Sequence, residues 1–336
     1  MCEPFRKQLA TDSIRRQIQA YPEAWICYFY SMRESPQNCA LSEHRGRDMT
    51  NKSTWLAFVL TVSALVGFAG NSVLARMALG ARAIDAYSFT AIRLASGALA
   101  LLLLNSWRTP SRFLAHGSWR GAALLVLYAV PFSFAYVRLN TGTGALLLFT
   151  AVQLTMIGSA LRSGERPGRL EWLGFAGAVG GVVYLIFPGL TSPNPMGAAL
   201  MIGAGMAWGA YSIIGKAAGD PGLVTAGNFQ RAALLVVPAA LLTWPWLSLS
   251  FRGILLAAAS GALASGLGYT AWYAALKHLR VTQAALVQLT VPAIAASGGV
   301  AFLDETITIR LILSSVVILG SVLFAIMSSI RSAVDR

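Results

Sequence analysis

Two arginines interrupt long apolar stretches, Arg93 in FTAIRLAS and Arg231 in GNFQRAAL. A guanidinium at membrane depth costs at least roughly 2.5 kcal/mol, so it needs a partner or water. It also stays protonated at any working pH. Such a group is either a fixed cation that holds a carboxylate or an arginine satisfied by a helix-end acid or carbonyl. Glu165 and Glu305 offer different chemistry. Each follows an apolar stretch, where water is near. Proton coupling is one reading; a cap or salt bridge that sets a short turn between helices is the other. No Asp or Glu falls inside an apolar stretch. The buried carboxylate by which many antiporters cycle protons therefore has no candidate.

Uncharged polar groups are more numerous. Asn71, Ser72, Gln153 and Gln288 lie within apolar stretches, as do Thr150, Ser212 and Thr290. Their buried amides and hydroxyls require hydrogen-bond partners, from a neighbouring helix or from a zwitterionic ligand. Gln288 stands four residues before Pro292, whose ring frees the carbonyl at that position, so a kinked helix there could present a ligand contact. Trp208 with Tyr211, and Tyr269 with Trp272, are spaced i, i+3, and each pair shares a helix face. With Tyr273 they would form an aromatic wall suited to amino acids or drug-like organics. The pairs Gly177/Gly181 and Gly205/Gly209 have the spacing that lets helices approach closely. They fit packing within the chain and leave homodimerisation open.

Enzyme chemistry finds no support. His44, His116 and His278 lie outside the apolar stretches and form no ligand pair, and no acid accompanies a buried serine to make a triad. No metal site, phosphate loop or cofactor motif is visible. Cys2, Cys27 and Cys39 all precede the first apolar stretch and fit no zinc or disulfide pattern.

The elements that must carry these residues follow from composition. The chain is 56% hydrophobic and only 12% charged over 336 residues, against roughly 25% charged in an ordinary globular domain. It lacks the charge to cover a soluble surface, so lipid is the expected solvent. The net charge of +13 raises nucleic acid as a partner, but the basic residues are scattered singly and form no stripe, which argues against it.

After Lys52 the charges fall at helical intervals. Uncharged gaps of 23, 23, 24, 23 and 20 residues separate Lys52 from Arg76, Arg138 from Arg162, Arg252 from Lys277, Arg280 from Asp304, and Arg310 from Arg331. About 20 apolar residues cross a bilayer, so each gap holds one helix. The 44-residue gap from Glu171 to Lys216 holds two, divided by Pro188, Gly189, Pro193 and Pro195. Stretches after Arg120 and near 86–105 and 223–245 complete ten. Placing both termini in the cytoplasm puts 11 basic residues in the inner loops and C-terminus against 5 in the outer loops, as the positive-inside rule requires. Residues 1–48 are polar and carry no signal-peptide pattern; they read as a disordered cytoplasmic tail or as non-native sequence upstream of a start at Met49.

The chain repeats itself. At an offset of 140, Glu165 falls on Glu305, Ser72 on Ser212, Arg76 on Lys216 and Thr150 on Thr290. An odd number of spans per half, five, makes the second half insert upside down relative to the first, a common transporter architecture. The expected fold is thus an all-α integral membrane protein of ten transmembrane helices in two inverted five-helix repeats, 49–190 and 191–336.

A span followed by Gly164-Glu165 or Asp304-Glu305 and then a glycine-rich span, once per half, resembles the EamA-like family of the drug/metabolite transporter superfamily. GNSVLAR at 70–76, WGAYSIIGK at 208–216 and Pro292 in TVPAIA fit the same pattern. Val152-Gln153 departs from it, standing where the family often has proline. The resemblance covers about 55–330. It implies a central cavity and export or exchange of metabolites such as amino acids across the inner membrane. An exporter of drugs or organic cations is the alternative, with a channel or a non-transporting membrane scaffold more remote. Inversion further predicts two pairs across the repeats, Arg93 with Glu305 and Arg231 with Glu165.

Overall fold

The structure is a computed structural model. It describes residues 36–106, 116–162, 168–187, 189, 192–216, 220–242, 248–279 and 287–334. Two compact units divide the chain, residues 1–56 and 57–336. All that follows concerns the second, apart from the start of the first helix.

Long apolar runs become helices because a helix satisfies every backbone donor and acceptor internally, which hydrocarbon demands. In chain order these are α1 (Pro36–Gly80), α2 (Ala86–Ser106), α3 (Trp119–Tyr136), α4 (Thr141–Arg162) and α5 (Arg169–Ile186). They are followed by α6 (Pro195–Lys216), α7 (Pro221–Leu242), α8 (Phe251–Leu276), α9 (Val291–Leu303) and α10 (Ile309–Val334). No strand occurs among the described residues beyond an isolated bridge between Ile84 and Leu249. Among the described residues, seven helices are long and apolar enough to cross a membrane, and Trp172–Ile186, Val291–Leu303 and Ile309–Ala325 are shorter apolar helices.

Two elements differ in detail from the sequence reading. The first helix begins at Pro36, inside the stretch expected to lack order. It also continues to Gly80, so Arg76 lies in a helix rather than in a loop. Pro292 occupies the first turn of α9, behind a turn at 289–290. A proline there costs nothing, because its missing N–H would have had no helical partner. The expected kink therefore takes the form of a break.

Burial is inverted relative to a water-soluble protein. Leu99, Leu103, Val183, Leu234 and Phe324 point outward, while Asn71, Arg93, Gln153, Asn228 and Gln288 are buried. An apolar exterior of this extent suits lipid, not water.

The glycine pairs pack the bundle internally. A Cβ at Gly177 would meet Ser321 and one at Gly181 would meet Ile318, bringing α5 against α10. Gly205 lies against the Leu148 carbonyl and Gly209 against Thr155, bringing α6 against α4.

Short turns gather at one end. Asp85 N–H donates to the Ser248 carbonyl at 3.0 Å, and Arg76 reaches the Tyr136 carbonyl at 3.0 Å. Arg310 reaches the Phe187 carbonyl. The other end joins the start of α3 to α7, where the Asn228 side chain accepts the Ser118 N–H at 2.8 Å.

Candidate functional site

The middle of the bundle is built around α8, which is not a uniform helix. Its residues Phe251–Ala259 and Gly268–Leu276 are α-helical, but Ser260–Leu267 forms a π-helix. The i→i+5 bonding of a π turn sets Ser260 over Ser265, and such segments are frequent at functional sites. Both serines reach Asn71 of α1: Ser260 Oγ lies 2.6 Å and Ser265 Oγ 3.5 Å from Asn71 Oδ1. Gly261 lets this segment touch α2, since a Cβ there would run into the Arg93 carbonyl and Ser96 Oγ.

Arg93 is the hub, with 1% of its surface exposed. Its Nε donates to Ser265 Oγ at 3.0 Å. Its Nη2 donates to Tyr128 Oη at 2.9 Å and to Tyr269 Oη at 2.8 Å. The guanidinium carbon stands 4.7 Å from the Phe132 ring centroid and 5.1 Å from that of Tyr128, close enough for cation–π attraction. Asn71 Nδ2 donates to Tyr128 Oη at 3.1 Å, and Tyr269 Oη to Tyr128 Oη at 3.1 Å. Every partner is neutral; no carboxylate bonds Arg93 among the described residues. Its Nη1 has no hydrogen-bond partner, and neither does Trp272 Nε1, also 1% exposed.

Ser265, Tyr269 and Trp272 follow one another at i, i+4, i+7 and share a face of α8. Opposite stands the aromatic group from α1 and α6. Trp208 lies 4.4 Å from Tyr269, 5.2 Å from Tyr128 and 5.5 Å from Tyr211, ring centroid to centroid. Phe68 packs on Trp208 at 5.7 Å and on Trp272 at 5.5 Å. The result is a buried cluster in which π faces surround a cation whose Nη1 has no partner.

The structure therefore gathers Asn71, Arg93, Trp208, Tyr211, Tyr269 and Trp272 from the residues selected in the sequence. Ser72 is buried one residue beyond Asn71 on α1. Gln153 on α4 and Gln288, ahead of α9, are buried but do not bond Arg93.

Arg231 lies elsewhere. It is half-buried near one end of the bundle, donating to the His116 carbonyl at 2.8 Å and the Gly227 carbonyl at 3.0 Å, with the Trp119 ring 5.8 Å away. Glu305 pairs with Arg76, Nε to Oε1 at 3.1 Å, in place of the expected Arg93. The reason is depth: Arg93 sits in mid-bundle with hydroxyls in reach, while Glu305 stays at the end with the last turn of α1. The expected partner of Arg231, Glu165, lies outside the described residues.

Sequence reasoning missed Tyr128, Ser260, Ser265 and Asn228. The repeat carried a signal for one of them, because Tyr128 stands 141 residues before Tyr269, close to the repeat offset.

This combination, an apolar exterior around a buried polar and aromatic core, defines a multi-pass helical membrane protein. The model of the EamA-like transporter family matches residues 195–327. An uncharacterized protein of Pseudomonas aeruginosa is 49% identical over 264 residues, covering 79% of this chain and 92% of that protein. The threonine/homoserine exporter RhtA of Escherichia coli is 29% identical over 296 residues, covering 82% and 91%. A solved crystal structure superposes with a TM-score of 0.59 over 80% of this chain and 97% of its own, at 18% identity, which shows likeness of fold. The chain belongs to the EamA-like transporter family, and it is a metabolite transporter rather than an enzyme.

Proposed function

We propose that this protein is a secondary transporter of the inner membrane that moves a small carboxylate-bearing metabolite, an amino acid being the leading candidate, by alternating access. In this reading ten spans form two inverted five-helix repeats, with both termini in the cytoplasm. The observation that carries the reading is Arg93: a buried cation whose partners are all neutral, with one donor unused. No acidic side chain among the described residues compensates its charge, so a carboxylate is the solute group that would balance it. The π faces of Trp208, Tyr269 and Tyr128 attract an ammonium group through their quadrupoles. A zwitterion matches both features. The similarity to threonine/homoserine exporters supports the same class.

Organic-cation export is the weaker alternative. A cation would face Arg93 at close range, and the spans hold no carboxylate to receive it. With arginine as the central charge, no group in the chamber changes protonation near neutral pH, which favours facilitated or exchange transport over proton antiport. The test is flux into proteoliposomes for a panel of amino acids and organic cations, with and without a pH gradient. Carboxylate solutes should be carried, and Arg93→Ala should abolish it. Strong uphill movement of a lipophilic cation on a pH gradient alone, unaffected by Arg93→Ala and Arg231→Ala, would overturn the reading.

A further inference from the structure

Glu305 ties together elements that an alternating-access bundle must separate. Asp304 ends α9 in left-handed backbone, φ 52°, a conformation uncommon for residues other than glycine. The chain reverses there, and Glu305 N–H returns to the Gly299 carbonyl at 3.2 Å. The reversal turns the Glu305 carboxylate back over the bundle. It accepts the Thr141 backbone N–H at 2.8 Å through Oε2 and 3.1 Å through Oε1. Thr141 opens α4, whose first N–H groups have no helical partner and whose dipole favours an anion. Oε1 also takes Arg76 Nε. Arg76 in turn donates through Nη1 to the Tyr136 carbonyl, the last residue of α3, and through Nη2 to Asn140 Oδ1 at 3.4 Å. A Cβ at Gly299 would lie 2.5 Å from Glu305 Oε2 and 3.1 Å from Thr141 Cβ, so glycine makes room for the carboxylate.

Arg76 lies five residues beyond Asn71 on α1, about 7.5 Å along the axis from the Arg93 network. The pair thus stands between that network and the end of the bundle where the short turns gather. It fastens α1, α3 and α4 of the first half to the α9–α10 turn of the second. The charges are partly shielded, with side chains 21% and 13% exposed, and salt would screen them less than a surface pair.

We propose that Arg76 and Glu305 form the latch that closes this end of the bundle over the solute chamber and that the pair parts each time the chamber opens there. The proposal rests on the transport reading, but its first test needs no solute. With Cys2, Cys27 and Cys39 replaced by serine, Ser72→Cys places a thiol at a position 1% exposed in this structure. A membrane-impermeant thiol reagent is applied from the side this end faces. Glu305→Gln and Arg76→Gln should each speed labelling roughly tenfold, the scale of one lost charge-assisted contact. The double variant should be no faster than either single one, because both remove the same contact. Unchanged labelling in both single variants, or fully additive effects, would overturn the latch. A second measurement covers variants that fold poorly. Arg76→Cys/Glu305→Cys, oxidised to a disulfide in proteoliposomes, should stop flux, and reductant should restore it. Undiminished flux through the cross-linked protein would overturn the proposal. Failure of the carboxylate reading would show instead as a change of preferred solute, with the labelling pattern intact.

Discussion

Replacing Arg93 by methionine separates a structural role from a solute-binding one. The substitution removes three hydrogen bonds, to Ser265, Tyr128 and Tyr269. Hydrogen bonds to charged groups contribute roughly 1.5–3 kcal/mol each when the comparison leaves a buried group unsatisfied. Here the partners are hydroxyls that keep other contacts. Tyr269 still donates to Tyr128, Asn71 still donates to Tyr128, and Ser265 remains beside Asn71. They lose a donor to their lone pairs, not an acceptor for their own protons. Against this stands the desolvation of a guanidinium without an acidic partner, which costs several kcal/mol even after relaxation. Apolar replacements of buried charges are often neutral, or stabilising by about 1–4 kcal/mol. Methionine follows the same unbranched stem and lies against the Phe132 ring with a favourable sulfur–aromatic contact.

The expectation is therefore that Arg93→Met unfolds at the same temperature as the parent or a few degrees higher in detergent. Transport of a carboxylate solute should fall by the strength of a buried charge pair, about 2–5 kcal/mol or roughly thirty- to several-thousand-fold. Arg93→Lys should retain part of the flux, since it keeps the charge but loses the planar fork. Both quantities are read on one preparation, thermal unfolding by tryptophan fluorescence and uptake in proteoliposomes. A marked fall in unfolding temperature with unchanged flux per folded molecule would refute the argument and make Arg93 a structural residue.

Other consequences are as direct. Gly261→Leu should displace the π segment of α8 from α2, costing about 1–3 kcal/mol by overpacking, whereas Gly180→Ala, with open space around it, should leave unfolding temperature unchanged. A chain starting at Met49 should insert and transport like the full chain, because residues 57–336 form a compact unit of their own; loss of insertion on fractionation would count against it. In a background without native cysteines, Ala115→Cys and Ala333→Cys should label from the cytoplasm and Thr191→Cys from outside, and labelling of position 191 only from inside would reject the orientation.

The helices were legible because charge is so scarce. Charges gather in the turn regions and are rare elsewhere, so each long apolar run marks a segment that only lipid can solvate, and α1 through α4 and α6 through α8 fall on such runs. Ends were less legible. Arg76 closes a gap, which reads as a loop position, yet α1 runs on to Gly80 and uses the arginine in its final turns. That displacement by one turn hid the true partner of Glu305. In the chamber, Asn71, Arg93 and the i, i+3 aromatic pairs stood out because polar or bulky groups are conspicuous in apolar runs. Tyr128 did not, since one hydroxyl within AALLVLYAVPF resembles ordinary packing. Ser260 and Ser265 were hidden by geometry. Five residues apart, they would point in different directions on an α-helix, and only the π segment aligns them.

In the proposed inverted-repeat reading, the two halves divide the chemistry between them. At an offset of 138, Arg93 corresponds to Arg231. The first is a mid-bundle cation held by hydroxyls; the second donates to backbone carbonyls near one end. Asn71-Ser72 corresponds to Tyr211-Ser212 at an offset of 140, and here too the polar amide belongs to the first half and the aromatic ring to the second. Around Arg93, Trp208 on α6 and Tyr269 and Trp272 on α8 come from the second half, and Phe68 and Tyr128 from the first. A strictly symmetric pair would place two guanidinium groups at the centre, where their repulsion in low dielectric would add to the cost of burying each. Moving one arginine outward to carbonyl partners removes that repulsion and leaves a single fixed charge. A single charge opposite π faces has a direction, and a zwitterion bound between them would have its carboxylate toward the first half and its ammonium toward the second. In the proposed reading each half would then hold a different end of the solute. Rocking the halves apart would strain both contacts together, which gives a bound solute a reason to bias the conformational equilibrium.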